Sequence, residues 1–214
     1  MNENDYSIHE MLLQNRAIYQ IPDDRLYSVD DLLYNHQVFV NNFLKANSKK
    51  NKIENLSVSL AWYLAIVNRY HIDIEKELWI RYAYKCPYCL DIPCSCIKEG
   101  NKSQKTGRPP KARPKDIEKW QIMIKKIFPN DNGKELEIKL EKILEEINQL
   151  IRTYLREKKN KQFDRIKSLF SDYFVQIIRI FNHDKRSIKK EYGEMLKNGC
   201  YVCHKIPCEC NYFK

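Results

Sequence analysis

Eight cysteines stand in two clusters, Cys86, Cys89, Cys94 and Cys96, then Cys200, Cys203, Cys208 and Cys210, and these are all the cysteines in a chain of 214 residues. Both clusters, CPYCLDIPCSC and CYVCHKIPCEC, read C-x2-C-x4-C-x-C, and both contain Ile-Pro-Cys-x-Cys. Four thiols so closely spaced suit an ordinary disulfide framework poorly, but as thiolates they can surround a tetrahedral Zn²⁺ at about 2.3 Å. Each cluster therefore predicts one structural zinc ion, with no coordination position left open for catalysis. The spacings differ from the common iron–sulfur patterns. His204 lies inside the second cluster and borders the expected site. His9, His36, His71 and His183 are scattered and show no ligand spacing.

A cluster that closes each half of the chain also announces an internal repeat. Met11 to Tyr19 aligns with Trp120 to Phe128, Phe43-Leu44 with Tyr154-Leu155, Asn68 with Asn182, and Cys86 with Cys200, the offset growing from 109 to 114. The predicted organisation is a first helical unit at 1–96 with its knuckle at 86–96, a basic linker at 97–115, and a second unit at 116–214 with its knuckle at 200–210. The linker, IKEGNKSQKTGRPPKARPK, reads as an exposed spacer. Its Thr106-Gly107-Arg108-Pro109-Pro110-Lys111 resembles a minor-groove arm of the AT-hook kind.

The elements that must position the knuckles are helices. Ser28 followed by Asp30 and Asp31 predicts a capped start to a helix running to about Ala46, and Asp116 predicts another N-cap. Ile53, Leu56, Leu60, Leu64 and Val67 recur at helical spacing, and a short helix near Ile74 to Tyr84 leads into the first knuckle. Two long stripes follow in the second half: one from Leu136 to Leu155 through Leu140, Ile143, Leu144, Ile147, Leu150, Ile151 and Tyr154, the other through Phe163, Ile166, Phe170, Phe174, Ile177 and Phe181. Three-four periodicity without strand-like alternation predicts an all-α fold of antiparallel helices. Trp62, Trp79, Tyr82 and Tyr84 are expected mainly in its core.

Apolar residues make up 43% of the chain and only five are glycine, enough to bury a core and too few for a glycine-rich phosphate cradle. No apolar run approaches the roughly 18–20 residues of a membrane span, and MNENDYSIHEM lacks the basic and apolar parts of a secretory signal, so a cytoplasmic location without a membrane partner is expected. A reducing compartment agrees with metal-bound thiolates. The net charge of +10 predicts attraction to polyanions, nucleotide or nucleic acid, the latter through the basic linker.

With helices and knuckle in this order, each half resembles the MazG-like all-alpha nucleoside triphosphate pyrophosphohydrolases, in particular members ending in a CPYC-type cysteine motif. The resemblance is carried by Glu54-Asn55-Leu56-Ser57-Val58-Ser59-Leu60-Ala61-Trp62, by Ile72-Asp73-Ile74-Glu75 and Tyr82, and by Cys86-Pro87-Tyr88-Cys89. It implies two tandem helical units forming a pseudo-symmetric pair, within one chain or across a homo-oligomer. It also implies Mg²⁺ held by an E-x-x-E and an E-x-x-D pattern on neighbouring helices, where carboxylates at i and i+3 share one face and the cation bridges triphosphate oxygens. Asn35, Val38, Asn55 and Val58 occupy those positions in the first half, so that half lacks the acidic set. In the second half Glu146 and Asp172 remain, with Glu145 beside them, while Gln149 and Leu169 replace the other two.

The function expected from this pattern is a zinc-stabilised, catalytically impaired, nucleotide- or nucleic-acid-binding descendant of such an enzyme. One alternative is an active pyrophosphohydrolase confined to the second half, with Mg²⁺ on Glu146 and Asp172 and with Glu145 assisting. Another is a structural protein-interaction module.

Overall fold

A computed structural model describes residues 6–96 and 112–210, and every regular element among them is helical. In chain order these are α1 (Ile8–Leu26), α2 (Val29–Lys45), α3 (Lys49–Arg69), α4 (Ile74–Tyr82), α5 (Ile117–Ile127), α6 (Gly133–Glu157), α7 (Asn160–His183) and α8 (Ile188–Met195). None of them is long and apolar enough to cross a membrane. The Gly-Arg-Pro arm lies outside the described residues, as does most of the expected linker.

Local chemistry sets most of the helix starts. Ser7 and Ser28 form capping boxes with Glu10 and Asp31, and Ser48, Asp116, Asn132 and Ser187 each accept a hydrogen bond from a first-turn N–H. Each such cap satisfies a backbone donor that the helix itself leaves without a partner. The stripe expected on α6 is buried from Leu136 to Ile151 except at Leu150, which is half-buried, and Leu155 is exposed. Tyr154 instead stacks on Phe163 across the α6–α7 turn, with ring centroids 5.5 Å apart.

The helices gather into two compact units that cut across the repeat boundaries. An inner unit contains Ile74–Lys185; a split unit is built from Tyr6–Asp73 and Arg186–Lys214. In the split unit α3 is the central helix, with α1, α2 and α8 against it; in the inner unit α7 is central, with α4, α5 and α6 against it. Both central helices are buried nearly all round, over Leu56–Leu60 and Phe170–Ile178 respectively. The three long helices of each repeat thus fold with the short helix and knuckle that the sequence places at the end of the other.

The repeat is visible in matched bonds. Asn68 donates to the Leu12 carbonyl at 3.4 Å in the split unit, and Asn182 to the Gln121 carbonyl at 2.9 Å in the inner one. His71 and Lys185, the residues following the two matched C-caps Tyr70 and Asp184, both take left-handed φ values, 52° and 57°.

Candidate metal centres and the surviving carboxylates

Each knuckle is a tight loop held by its own backbone. Cys86 N–H donates to Asp91 O at 3.1 Å and Leu90 N–H to Cys86 O at 3.0 Å; the matching bonds, Cys200 to Lys205 and His204 to Cys200, are 3.1 and 2.9 Å. Leu90 and His204 both adopt positive φ, and the Ile-Pro bond of each motif is cis. One bond anchors each loop to a helix carbonyl: Cys94 N–H donates to Ile127 O, at the end of α5, at 2.8 Å, and Cys208 N–H to Ile18 O, within α1 and one turn before Pro22, at 2.7 Å. These too are matched positions of the repeat.

The geometry brings together all eight predicted ligands. Within each tetrad the four sulfurs lie within 4.8 Å of one another, and none is in a disulfide. Neighbouring sulfurs are 3.4, 3.5 and 3.9 Å apart in the first set and 3.6 and 3.9 Å apart in the second. Tetrahedral metal–sulfur bonds of about 2.3 Å place ligands about 3.8 Å apart, so the donor sets fit a metal ion. Backbone N–H groups point at sulfur in both loops, Ser95 to Cys89 at 3.3 Å and Glu209 to Cys203 at 3.4 Å.

The thiols are electrostatically divided. Burial raises Cys89 and Cys203, but backbone donors from Asp91 and Ser95, and from Glu209 and Lys205, outweigh it and bring both down to about 6. Burial pushes Cys86 up to about 11 and raises Cys96, Cys208 and Cys210, the neighbouring thiols adding to it in Cys96 and Cys208. A cation at the centre stabilises the four thiolates together and resolves that conflict. His204 is exposed and belongs to neither ligand group.

The acidic residues are arranged quite differently. Asp172 is buried on α7 and accepts four hydrogen bonds. Arg81 of α4 donates two, Nε to Oδ1 at 2.6 Å and Nη2 to Oδ2 at 2.7 Å; Tyr82 donates to Oδ1, and Tyr88, from inside the first knuckle, to Oδ2 at 2.9 Å. Burial and the adjacent carboxylate raise Tyr82 far above its ordinary value and Tyr88 to about 12, so both phenols remain donors at neutral pH. Bidentate arginine and two phenols use the lone pairs that a magnesium ion requires.

Glu145 and Glu146 are exposed on α6, where Glu145 accepts from Gln149 at 3.2 Å and Glu146 faces Arg165 at 3.6 Å. Among the described residues, the groups of three or more acidic, histidine or cysteine side chains able to share an ion are the two cysteine tetrads. In the split unit Asn35 and Asn55 bond back to carbonyls one turn earlier, those of Asp31 and Asn51, and Val58 is buried. Glu54 accepts from the Tyr201 hydroxyl at 2.8 Å.

Sequence reasoning passed over the residues that hold Asp172. The available signal was the repeat itself: the counterparts of Asp172, Arg81 and Tyr88 are Val58, Met195 and Val202, so the whole lock is present in the inner unit and absent from the split one. Where the lock is absent, the split unit has a cavity of about 240 Å³ beside the second knuckle, whose walls include Val58, Met195 and Val202.

Comparisons with protein-family models, with curated proteins and with solved structures gave no match. The fold and the two cysteine centres therefore stand on the chain's own geometry.

Proposed function

We propose that this chain is a zinc-stapled, non-hydrolysing descendant of the MazG-like pyrophosphohydrolases that binds nucleotide without cleaving it. The observation that carries this reading is the state of Asp172. The one E-x-x-D carboxylate retained in sequence is tied to Arg81, Tyr82 and Tyr88, while Glu145 and Glu146 stand in solvent with partners of their own. A triphosphate site needs converging carboxylates that can reach a cation, because the metal supplies most of the electrostatic stabilisation of the displacement. Zinc is favoured at both knuckles because four cysteine thiolates form its usual closed structural site. Its role there is to tie the ends of short helices to their units.

The excess of positive charge, +10 overall, supports phosphate attraction as the remaining ligand property. The test is a panel of nucleoside triphosphates, assayed with magnesium for pyrophosphate release and by calorimetry for binding. Binding without turnover is the expected result. Pyrophosphate release that disappears in Glu146→Gln would establish the active alternative, and absence of both binding and turnover would remove the nucleotide reading.

A further inference from the structure

Residues that line the cavity of the split unit have register counterparts in the inner unit that make ion pairs and ring contacts. There two guanidinium groups lie against aromatic rings. Arg81 sits 5.5 Å from the Tyr88 centroid and pairs with Asp172; Arg179 sits 4.2 Å from the Phe128 centroid and pairs with Asp131 at 2.6 Å. In the register set by Asn68 and Asn182, Met195 and Ala65 stand where Arg81 and Arg179 stand, and both line the cavity. Tyr19, the counterpart of Phe128, keeps its aromatic ring at the same wall. The register therefore replaces both arginines with uncharged side chains at the cavity wall.

The split unit places a carboxylate of its own at the cavity. Asp23, near the end of α1, lines the cavity and is only 7% exposed, and its carboxylate accepts no hydrogen bond from a described residue. Arg69 is nearby but donates to the backbone carbonyls of Asp23 and Tyr27 and pairs with Asp24 at 3.2 Å. Tyr27, Phe39, Trp62 and Tyr201 add aromatic lining, with Tyr27 and Trp62 edge to face at a centroid distance of 5.5 Å, and Cys200, Cys208 and Cys210 of the second knuckle line the cavity as well. Aromatic faces beside a buried acid attract a planar cation through both ring quadrupole and charge. A volume of about 240 Å³ falls below the roughly 300–1,000 Å³ of sites for drug-sized ligands, which suits a side-chain-sized group.

We infer that this cavity is a guanidinium-binding site, in which Asp23 pairs with a planar cation supplied from outside in place of the arginines of the inner unit. Burial pushes the Asp23 carboxyl up to about 7 despite the opposing pull of Arg69, with Asp24 adding to the rise. The cation comes either from a small guanidine or from an arginine of a peptide. This site takes a positive group whereas the proposed nucleotide is negative, so the two readings stand or fall separately.

The experiment is calorimetric titration of the zinc-loaded full chain with ethylguanidinium, its neutral isostere ethylurea, and a blocked tripeptide with central arginine. Ethylguanidinium is expected to bind about tenfold or more tightly than ethylurea, and Asp23→Asn to weaken it by about tenfold or more. Ala65→Arg, which restores the inner unit's residue, is expected to fill the cavity from within and abolish binding. Tripeptide binding tighter than ethylguanidinium assigns the cation to a peptide, and equal binding to a small molecule; either supports the site. Equal affinity for ethylurea, undiminished binding in Ala65→Arg, or no binding of either guanidinium probe would overturn it.

Discussion

Arg81 closes on Asp172 through two parallel hydrogen bonds of 2.6 and 2.7 Å, and the counterpart pair in the split unit is Met195 and Val58. The inner unit thus solves a packing problem with a buried ion pair, and the split unit with two apolar side chains and a cavity. Desolvation takes back much of what a buried pair gains, so the two solutions can be similar in free energy.

That equivalence is open to a double-variant cycle. Arg81→Met or Asp172→Val alone leaves a buried charge without its partner and is expected to lower the unfolding free energy by roughly 3–5 kcal/mol in urea titrations. The double variant is expected to regain most of the loss, since apolar replacement of both partners is often neutral. A double variant no more stable than either single one would mean that the lock has no apolar substitute in the inner unit.

Metal content should fall one site at a time. Cys89→Ser and Cys203→Ser each remove one candidate ligand from a different tetrad, and elemental analysis of reduced protein is expected to show two metal ions per chain, zinc on the proposed reading, falling to one in either variant. Gly199 offers a subtler probe, because its φ of +100° and a Cβ placed 2.9 Å from both Ile206 Cγ1 and Lys205 O leave no room for a side chain. Gly199→Ala is expected to cost about 1–3 kcal/mol and to weaken zinc retention at Cys200–Cys210 while sparing Cys86–Cys96. Full occupancy of both sites in this variant, at unchanged stability, would refute that coupling.

Asp23 predicts a pH dependence of unusual sign. Its carboxyl is raised from 3.8 to about 7 by burial, with Arg69 opposing and Asp24 adding to the rise. The charged and titratable groups that line the two cavities Asp23 shares are Asp24, Arg16 and Tyr19 on its own helix, Tyr27, Arg69 and His71 around the end of α3, and Tyr201, Cys200, Cys208 and Cys210 of the second knuckle. Between about pH 4 and 7 the folded chain holds a proton here that the unfolded chain has released, so this residue's contribution to stability declines as pH rises through that window. Asp23→Asn is expected to stabilise the protein by about 1–3 kcal/mol at pH 8 and to change little at pH 4. Thermal melts at the two pH values measure the difference, and an equal effect at both would locate the raised pKa elsewhere.

Much of the helical plan was legible before any coordinates. Ser28 with Asp31 and Asp116 advertise their caps through the side-chain acceptors that helix N-termini need, and the stripes on α6 and α7 follow from 3.6-residue periodicity. The cysteine tetrads were equally plain, because ligand spacing within a loop is a local property. Partner choice was not. Nothing in the local pattern says that Cys94 bonds to Ile127, or that Asp172 meets Arg81 rather than an ion, since those pairings depend on which repeat supplies the neighbouring helix. The expectation that Leu155 continues the stripe failed for a related reason. Periodicity finds a face, but the partner helix decides how far along it burial extends.

The split unit also has a consequence for how the protein is made. Tyr6–Asp73 leaves the ribosome before Ile74–Lys185, yet the segment that completes its core, Arg186–Lys214, follows both. At about 5–20 residues per second the intervening Ile74–Lys185 takes on the order of 10 s to synthesise, long enough for the inner unit to form while the earliest helices still expose apolar faces. Newborn chains therefore pass through a stage that favours chaperone capture or pairing with a neighbouring copy, and the final knuckle is what brings that stage to an end.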